Sequence, residues 1–142
     1  MHISLDQARD MIAAAEAHGR ERSLLPLTIV VLDSAGQLVA AIRQDASALM
    51  RFQIAHGKAF GALALGVGSR ALMQRAEQQP HFVAAAGAAI GGALVPVPGG
   101  VLVRDTAGST VGAVGISGDT SDNDESAAEA AIASIGLVAV TG

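Results

Sequence analysis

The chain opens with apolar residues at helical spacing and then changes rhythm. Leu5, Ala8, Ile12 and Ala15 recur every three or four positions. Ser4 precedes them and Gln7 follows three residues later, the pattern of a capping box, with Ile3 and Ala8 placed as a hydrophobic staple. Gly19 offers a stop, so a first helix is expected over roughly residues 5–18. After Pro26 the chain reads LTIVVLD, SAG and QLVAAIR, two apolar β-rich runs around a tight turn at Asp33-Ser34-Ala35-Gly36. A second stretch repeats this form as VLVRD, TAG and STVGAVGIS. Shared turn chemistry accounts for the likeness without duplication, since nothing else repeats.

Between the two hairpins the pattern is helical again. One helix is expected from Leu49 to about Leu65 and another from Ser69, a capping residue type, to about Gln78. Pro80 breaks the second, and residues 81–90 form a third piece. Pro96 and Pro98 in LVPVPGG suit an edge strand. A last helix is expected from about Asp122 to Leu137. The order helix, two strands, helices, about three strands, helix predicts an α+β fold: one antiparallel sheet with helices packed on it. No linker divides the 142 residues, so a single domain over 1–142 is expected.

Composition narrows the function. The net charge is −4 with no basic block, which lacks the electrostatic footprint of a nucleic-acid binder. The absence of cysteine excludes disulfides, thiolate metal sites and a cysteine nucleophile. No apolar run reaches the ~18 residues of a membrane span, and MHISLDQARD lacks the form of a signal peptide. No membrane association and a cytoplasmic location are therefore expected. Trp and Tyr are absent, whereas Ala, Gly, Val and Leu abound. So apolar a short chain suggests surface buried between subunits, hence a homo-oligomer.

Chemistry concentrates in two places. In GISGDTSDNDES, four carboxylates (Asp119, Asp122, Asp124, Glu125) fall close together. The spacing fails as a calcium loop, because Asp124 stands where glycine belongs. Asp122 as N-cap with Glu125 as its reciprocal partner reads as another capping box, which leaves Asp119 unexplained. In RFQIAHGKAFGALALG, Arg51, Ala55 and Lys58 share a helix face, and Lys58 is the only lysine. An anionic ligand spanning the two cations is the functional reading, and solvated surface groups the structural one. His56 lies on a neighbouring stripe with Phe52, Phe60 and Leu63, where a satisfied core histidine is the usual finding. No pair of histidines has metal-ligand spacing. Gly99-Gly100 permits close backbone approach. Gly112, Gly115 and Gly118 mark a bulge or a ligand lying against the strand.

Four segments together resemble the GlcG/HbpS (DUF336) family, which includes the C-terminal domain of PduO-type proteins. They are VVLDSAGQLVAAIR with Arg43, IAHGKAFGA with Lys58-Ala59, PVPGGVLV, and VGAVGISGDTSDNDESAAEAAI. The resemblance covers nearly the whole chain in order. It implies a profilin-like or PAS-like fold of five antiparallel strands with about four to five helices, oligomeric assembly, and a small-ligand module. Haem is the ligand of some members. Two departures fall at the implied cleft: no proline follows Gly99-Gly100, and the acidic segment is richer than is common.

Two functions follow as expectations. The first is a small-molecule binder, with haem as a candidate cofactor and Arg51, His56, Lys58, Gly99, Gly100 and Arg104 as candidate ligand contacts. Its axial ligand would be a histidine or methionine, since Cys and Tyr are absent. The second is an enzyme acting on a small unsaturated carboxylic acid by hydrolytic deamination, hydration or isomerisation. There Arg51, Lys58 and Arg104 would clamp carboxylates, and Asp119, Asp122 or Glu125 would move the proton. A buried Lys58 could also serve as a Schiff-base nucleophile. A purely structural assembly subunit is the third reading, favoured if no pocket faces Lys58.

Overall fold

The computed structural model describes residues 2–142. In chain order the elements are α1 (Leu5–Glu21), β1 (Thr28–Asp33), β2 (Leu38–Arg43), α2 (Arg51–Leu65), α3 (Ser69–Gln78), α4 (Pro80–Ala89), β3 (Gly100–Arg104), β4 (Thr110–Ser117), α5 (Ser121–Ser134) and β5 (Val138–Val140). The strands form one antiparallel sheet in the order β2-β1-β4-β3-β5. This is the expected α+β architecture.

Local sequence explains the start of α1 and both hairpin turns. Ser4 and Gln7 form the capping box that starts α1. Both hairpin turns use one device: Asp33 Oδ1 accepts from the Ala35 and Gln37 amides, and Asp105 Oδ1 from those of Ala107 and Ser109.

Several boundaries differ from expectation. Gly19 does not stop α1; it is buried beneath Leu27, and the helix runs to Glu21. Ser69 is not the cap of α3. Gly68 holds that place, and the buried Ser69 hydroxyl accepts from the Gly100 amide at 2.7 Å. The Pro96–Pro98 segment forms no strand. The fifth strand is β5, which follows α5 because Gly136 (φ 74°) turns the chain back along β3.

The sheet is covered on both faces, as the alternation along β1 requires. Ile29 and Val31 point to a core closed by α1 and α5, with Val114, Ile116, Ala128 and Ile132. Val30 and Leu32 point the other way, beneath α2, with Leu102 and Ala113. α2 lies over β4, flanked by β3 and β1. That close approach needs Gly115, where a Cβ would collide with the Ala55 carbonyl. Gly115 thus receives a helix rather than a ligand. Ala55, on the face expected to take a ligand, is fully buried against the sheet, as is Ala62 one heptad on.

Candidate functional site

Lys58 is carried into the interior by the sheet-facing side of α2 and is only 2% exposed. Its Nζ donates to the Ile116 carbonyl at 2.9 Å and to Asp124 Oδ2 at 3.0 Å. Asp124 is 1% exposed, and its Oδ1 accepts from the Asp119 amide at 2.9 Å. Gly99 and Gly100 close over the lysine. A Cβ on Gly99 (φ 124°) would lie 2.8 Å from Nζ, and one on Gly100 would strike the Lys58 carbonyl. Burial pushes Lys58 below and Asp124 above their ordinary pKa ranges, each against the attraction of its partner. Arg51 lies seven residues before Lys58 and donates from Nη1 to Ser117 Oγ at 2.9 Å. Both cations of this face are therefore engaged by the end of β4.

The acidic segment divides into separate tasks. Thr120, not Asp122, caps α5, its hydroxyl accepting from the Asn123 amide at 3.2 Å. The helix starts at Ser121, which puts Asp122 and Glu125 inside it and overturns their reading as a capping box. Both instead receive Arg70 of α3. Arg70 Nε donates to the two Glu125 oxygens at 3.0 and 3.1 Å, and Nη2 to Asp122. Desolvation raises the Glu125 pKa, opposed by Arg70. Asp119 accepts from Asn123 Nδ2 at 2.7 Å and from the Leu25 and Thr120 amides, each at 2.8 Å. Those bonds, the Asn123 one foremost, hold its carboxyl below the usual range.

Lys58, Gly99, Gly100 and Arg51 thus meet at the end of β4, and Asp119 joins them through Asp124. Arg104 stands apart, four residues beyond Gly100 along β3, or about 13 Å at strand rise. Its Nε is buried without a partner among the described residues. Sequence reasoning missed Asp124 as the partner of Lys58. The available signal was the run Asp124, Ala127, Ala128, Ala131, whose helical spacing turns Asp124 toward the core.

The outer flank of α2 carries a different arrangement. Phe52, His56 and Phe60, four residues apart, stack into a ladder. Ring centroids are 6.0 Å apart at 26° for the first pair and 5.5 Å at 23° for the second. Phe52 is exposed, His56 and Phe60 are half-buried, and Leu49 and Met50 project into solvent just before the helix. Phe60 packs on Gly36 of the β1–β2 turn, and Ala41 of β2 borders the same apolar cluster. At the other end of the helix, Arg51 holds Ser117, which pairs with Thr28, itself opposite Arg43. The ladder therefore runs along the β1–β2 side of the sheet. Neither ring nitrogen of His56 takes part in a hydrogen bond among the described residues; His18 Nδ1 meets Arg22 Nη1 at 3.1 Å, while its Nε2 is buried without a partner among the same residues.

Three of the surface cavities lie beside these elements. One of about 530 Å³ lies between the end of α1 and β2, beside Glu16, Arg43 and Gln44. One of about 360 Å³ is apolar and lies between α3 and α4. One of about 130 Å³ is bounded by Gly36, Phe60 and Leu63. None of the three is lined by Lys58 or Asp124, so at Lys58 itself the structural reading is the favoured one. Among the described residues no helix is long and apolar enough to cross a membrane, and no group of three or more His, Cys, Asp or Glu is placed to hold a metal ion.

This is a two-faced α+β domain with a sealed ion pair inside and an open aromatic flank outside. The chain belongs to the HbpS-like family: the family model described as "Haem degrading protein HbpS-like" matches residues 3–133. Among solved structures it is similar to a PduOC–haem complex, with 22% identity over 100% of both chains and a TM-score of 0.87. It is also similar to the Klebsiella pneumoniae protein ORFY, with 24% identity over 94% of this chain and 90% of that one, TM-score 0.83. A double mutant of Streptomyces reticuli HbpS gives 24% identity over 94% and 86%, TM-score 0.80. At these identities the likeness establishes the fold. No curated protein gives a significant match.

Proposed function

We propose that the protein binds haem, or a closely related planar tetrapyrrole, on the outer flank of α2, with His56 as the iron ligand. One observation carries this reading: His56 is held between two aromatic rings, yet both its nitrogens lack a hydrogen-bond partner among the described residues. Its ring nitrogens are not sealed from solvent, and an iron ligand needs a free imidazole lone pair that the metal can reach. The chemistry of the flank fits the group. Ring edges of Phe52 and Phe60 give an apolar wall, continued by Leu49 and Met50. Arg43, exposed at the end of β2, donates from Nη1 to the Ser47 carbonyl, its one bond among the described residues, and keeps donors for a carboxylate. When bound, haem supplies a redox-active iron. The chain supplies the ligand, the wall and the counter-charge.

His18 is the weaker ligand. A guanidinium can only donate, so His18 Nδ1 accepts from Arg22 and Nε2 carries the proton rather than a lone pair. The haem complex of the similar PduOC chain and the description of the family lend further support. The enzyme reading has one observation in its favour, the lowered pKa of Lys58. It ranks second because Lys58 and Asp124 are closed off from any substrate.

Titration with hemin tests the proposal. A saturable Soret shift is expected. A shift no larger than that given by a non-binding control protein would reject it.

A further inference from the structure

The cavity of about 530 Å³ between α1 and β2 takes no part in the haem reading except through Arg43. Its volume falls within the ~300–1,000 Å³ of small-molecule sites. Its lining is mixed. Leu24, Pro26 and Ile42 are apolar and half-buried, and Glu16, Arg43, Gln44 and Asp45 bring polar groups and charges of both signs. Opposite charges that share a cavity ordinarily pair. Here they are held apart: among the described residues Arg43 forms no ion pair with Glu16 or Asp45. Arg43 Nη1 is drawn instead to the Ser47 carbonyl at 3.2 Å. Glu16 accepts only from Gln44 Nε2 among the described residues, at 3.4 Å, too long for a strong bond. Gln44 is itself fixed, because its Oε1 accepts from the Leu27 amide at 2.8 Å and so turns its amino group toward Glu16.

The walls are tied down as well. The Leu25 amide donates to Asp119 Oδ2 at 2.8 Å, and the Gln44 amide to the Leu27 carbonyl at 2.9 Å. Among the described residues two that are not glycine have positive φ, Ser23 (53°) and Ala46 (68°), and they adjoin Leu24 and Asp45 of the lining. Side chains in this left-handed region are held there by their surroundings, and such positions gather at ligand sites. We infer that the cavity binds a free α-amino acid with an apolar side chain. The carboxylate meets the Arg43 guanidinium, whose planar fork suits it. The ammonium is taken by Glu16 and Asp45, and the side chain rests on Leu24, Pro26 and Ile42. A zwitterion matches both signs at once. A simple amine leaves Arg43 unmatched, and a simple acid faces two carboxylates. The inference goes beyond the haem reading and shares only Arg43 with it.

Calorimetric titration of the whole chain with L-leucine tests this, beside isoamylamine and 4-methylpentanoate, which each lack one of its charges. Leucine should bind saturably and each analogue at least tenfold more weakly, since a site that matches a polar group rejects the ligand lacking it. Arg43→Gln should weaken leucine at least tenfold and abolish its preference over isoamylamine. Glu16→Gln should weaken it likewise and abolish its preference over 4-methylpentanoate. A merely structural role for these residues would not exchange one preference for the other. The wild-type comparison decides even where a variant fails to fold. No saturable heat from leucine at millimolar concentration, an analogue binding as tightly as leucine, or folded variants with wild-type selectivity would overturn the inference. Hemin is absent throughout, so this site and the haem reading fail separately.

Discussion

Lys58 shows what a single residue can hold in place. Its ammonium ties α2 to the backbone of β4 and to Asp124 of α5. Taking both charges out of water is costly, and removing one partner alone leaves the other uncompensated. Lys58→Met should therefore lower stability by about 3–5 kcal/mol in urea unfolding. Adding Asp124→Leu should restore much of that, because a whole buried pair exchanged for apolar groups is close to neutral. A Lys58→Met midpoint equal to wild type would contradict the pairing. Asp119 gives the acid limit. Its folded pKa is depressed by hydrogen bonds to Asn123, Leu25 and Thr120. Its stabilisation is present above the ordinary aspartate pKa and is lost as pH falls through the lower folded value. Asp119→Asn should remove that acid-sensitive part, seen as a flatter melting temperature against pH below the usual carboxylate range. The sequence made the lone lysine conspicuous but hid its partner. Burial decides which of four clustered acids faces inward, and burial depends on where α5 begins.

At the scale of elements, close approach governs the layout. α2 can rest on β4 because Gly115 has no side chain to meet the Ala55 carbonyl. Gly115→Ala should cost about 1–3 kcal/mol by overpacking, measured by denaturant unfolding. The paired aspartate turns and the α1 capping box were legible because each is a local device, complete within about five residues. β5 was not legible: three residues carry no periodicity, and only β3 gives them a place. Ser69 misled for a related reason. A serine before a helical run reads as a cap, but here its hydroxyl serves Gly100, thirty-one positions away. Long-range partners of this kind are invisible to local patterns.

Across the whole molecule, the faces of α2 divide the labour. One is sealed on the sheet around Lys58, and the other leaves a histidine between two phenylalanines in partial contact with solvent. The sequence placed His56 on its stripe with Phe52 and Phe60 but could not tell a core stripe from a surface one, because α2 is apolar nearly all round. The sheet order settles this by leaving β2 at the edge beside the ladder. We propose that this flank binds haem through His56. The most direct measurement is a side-by-side hemin titration of wild type, His18→Ala and His56→Ala, each first shown to be folded by circular dichroism. Wild type and His18→Ala should saturate with the same Soret band, and His56→Ala should lose that band or bind at least tenfold more weakly. A His56→Ala protein that saturates like wild type would rule out His56 as the iron ligand.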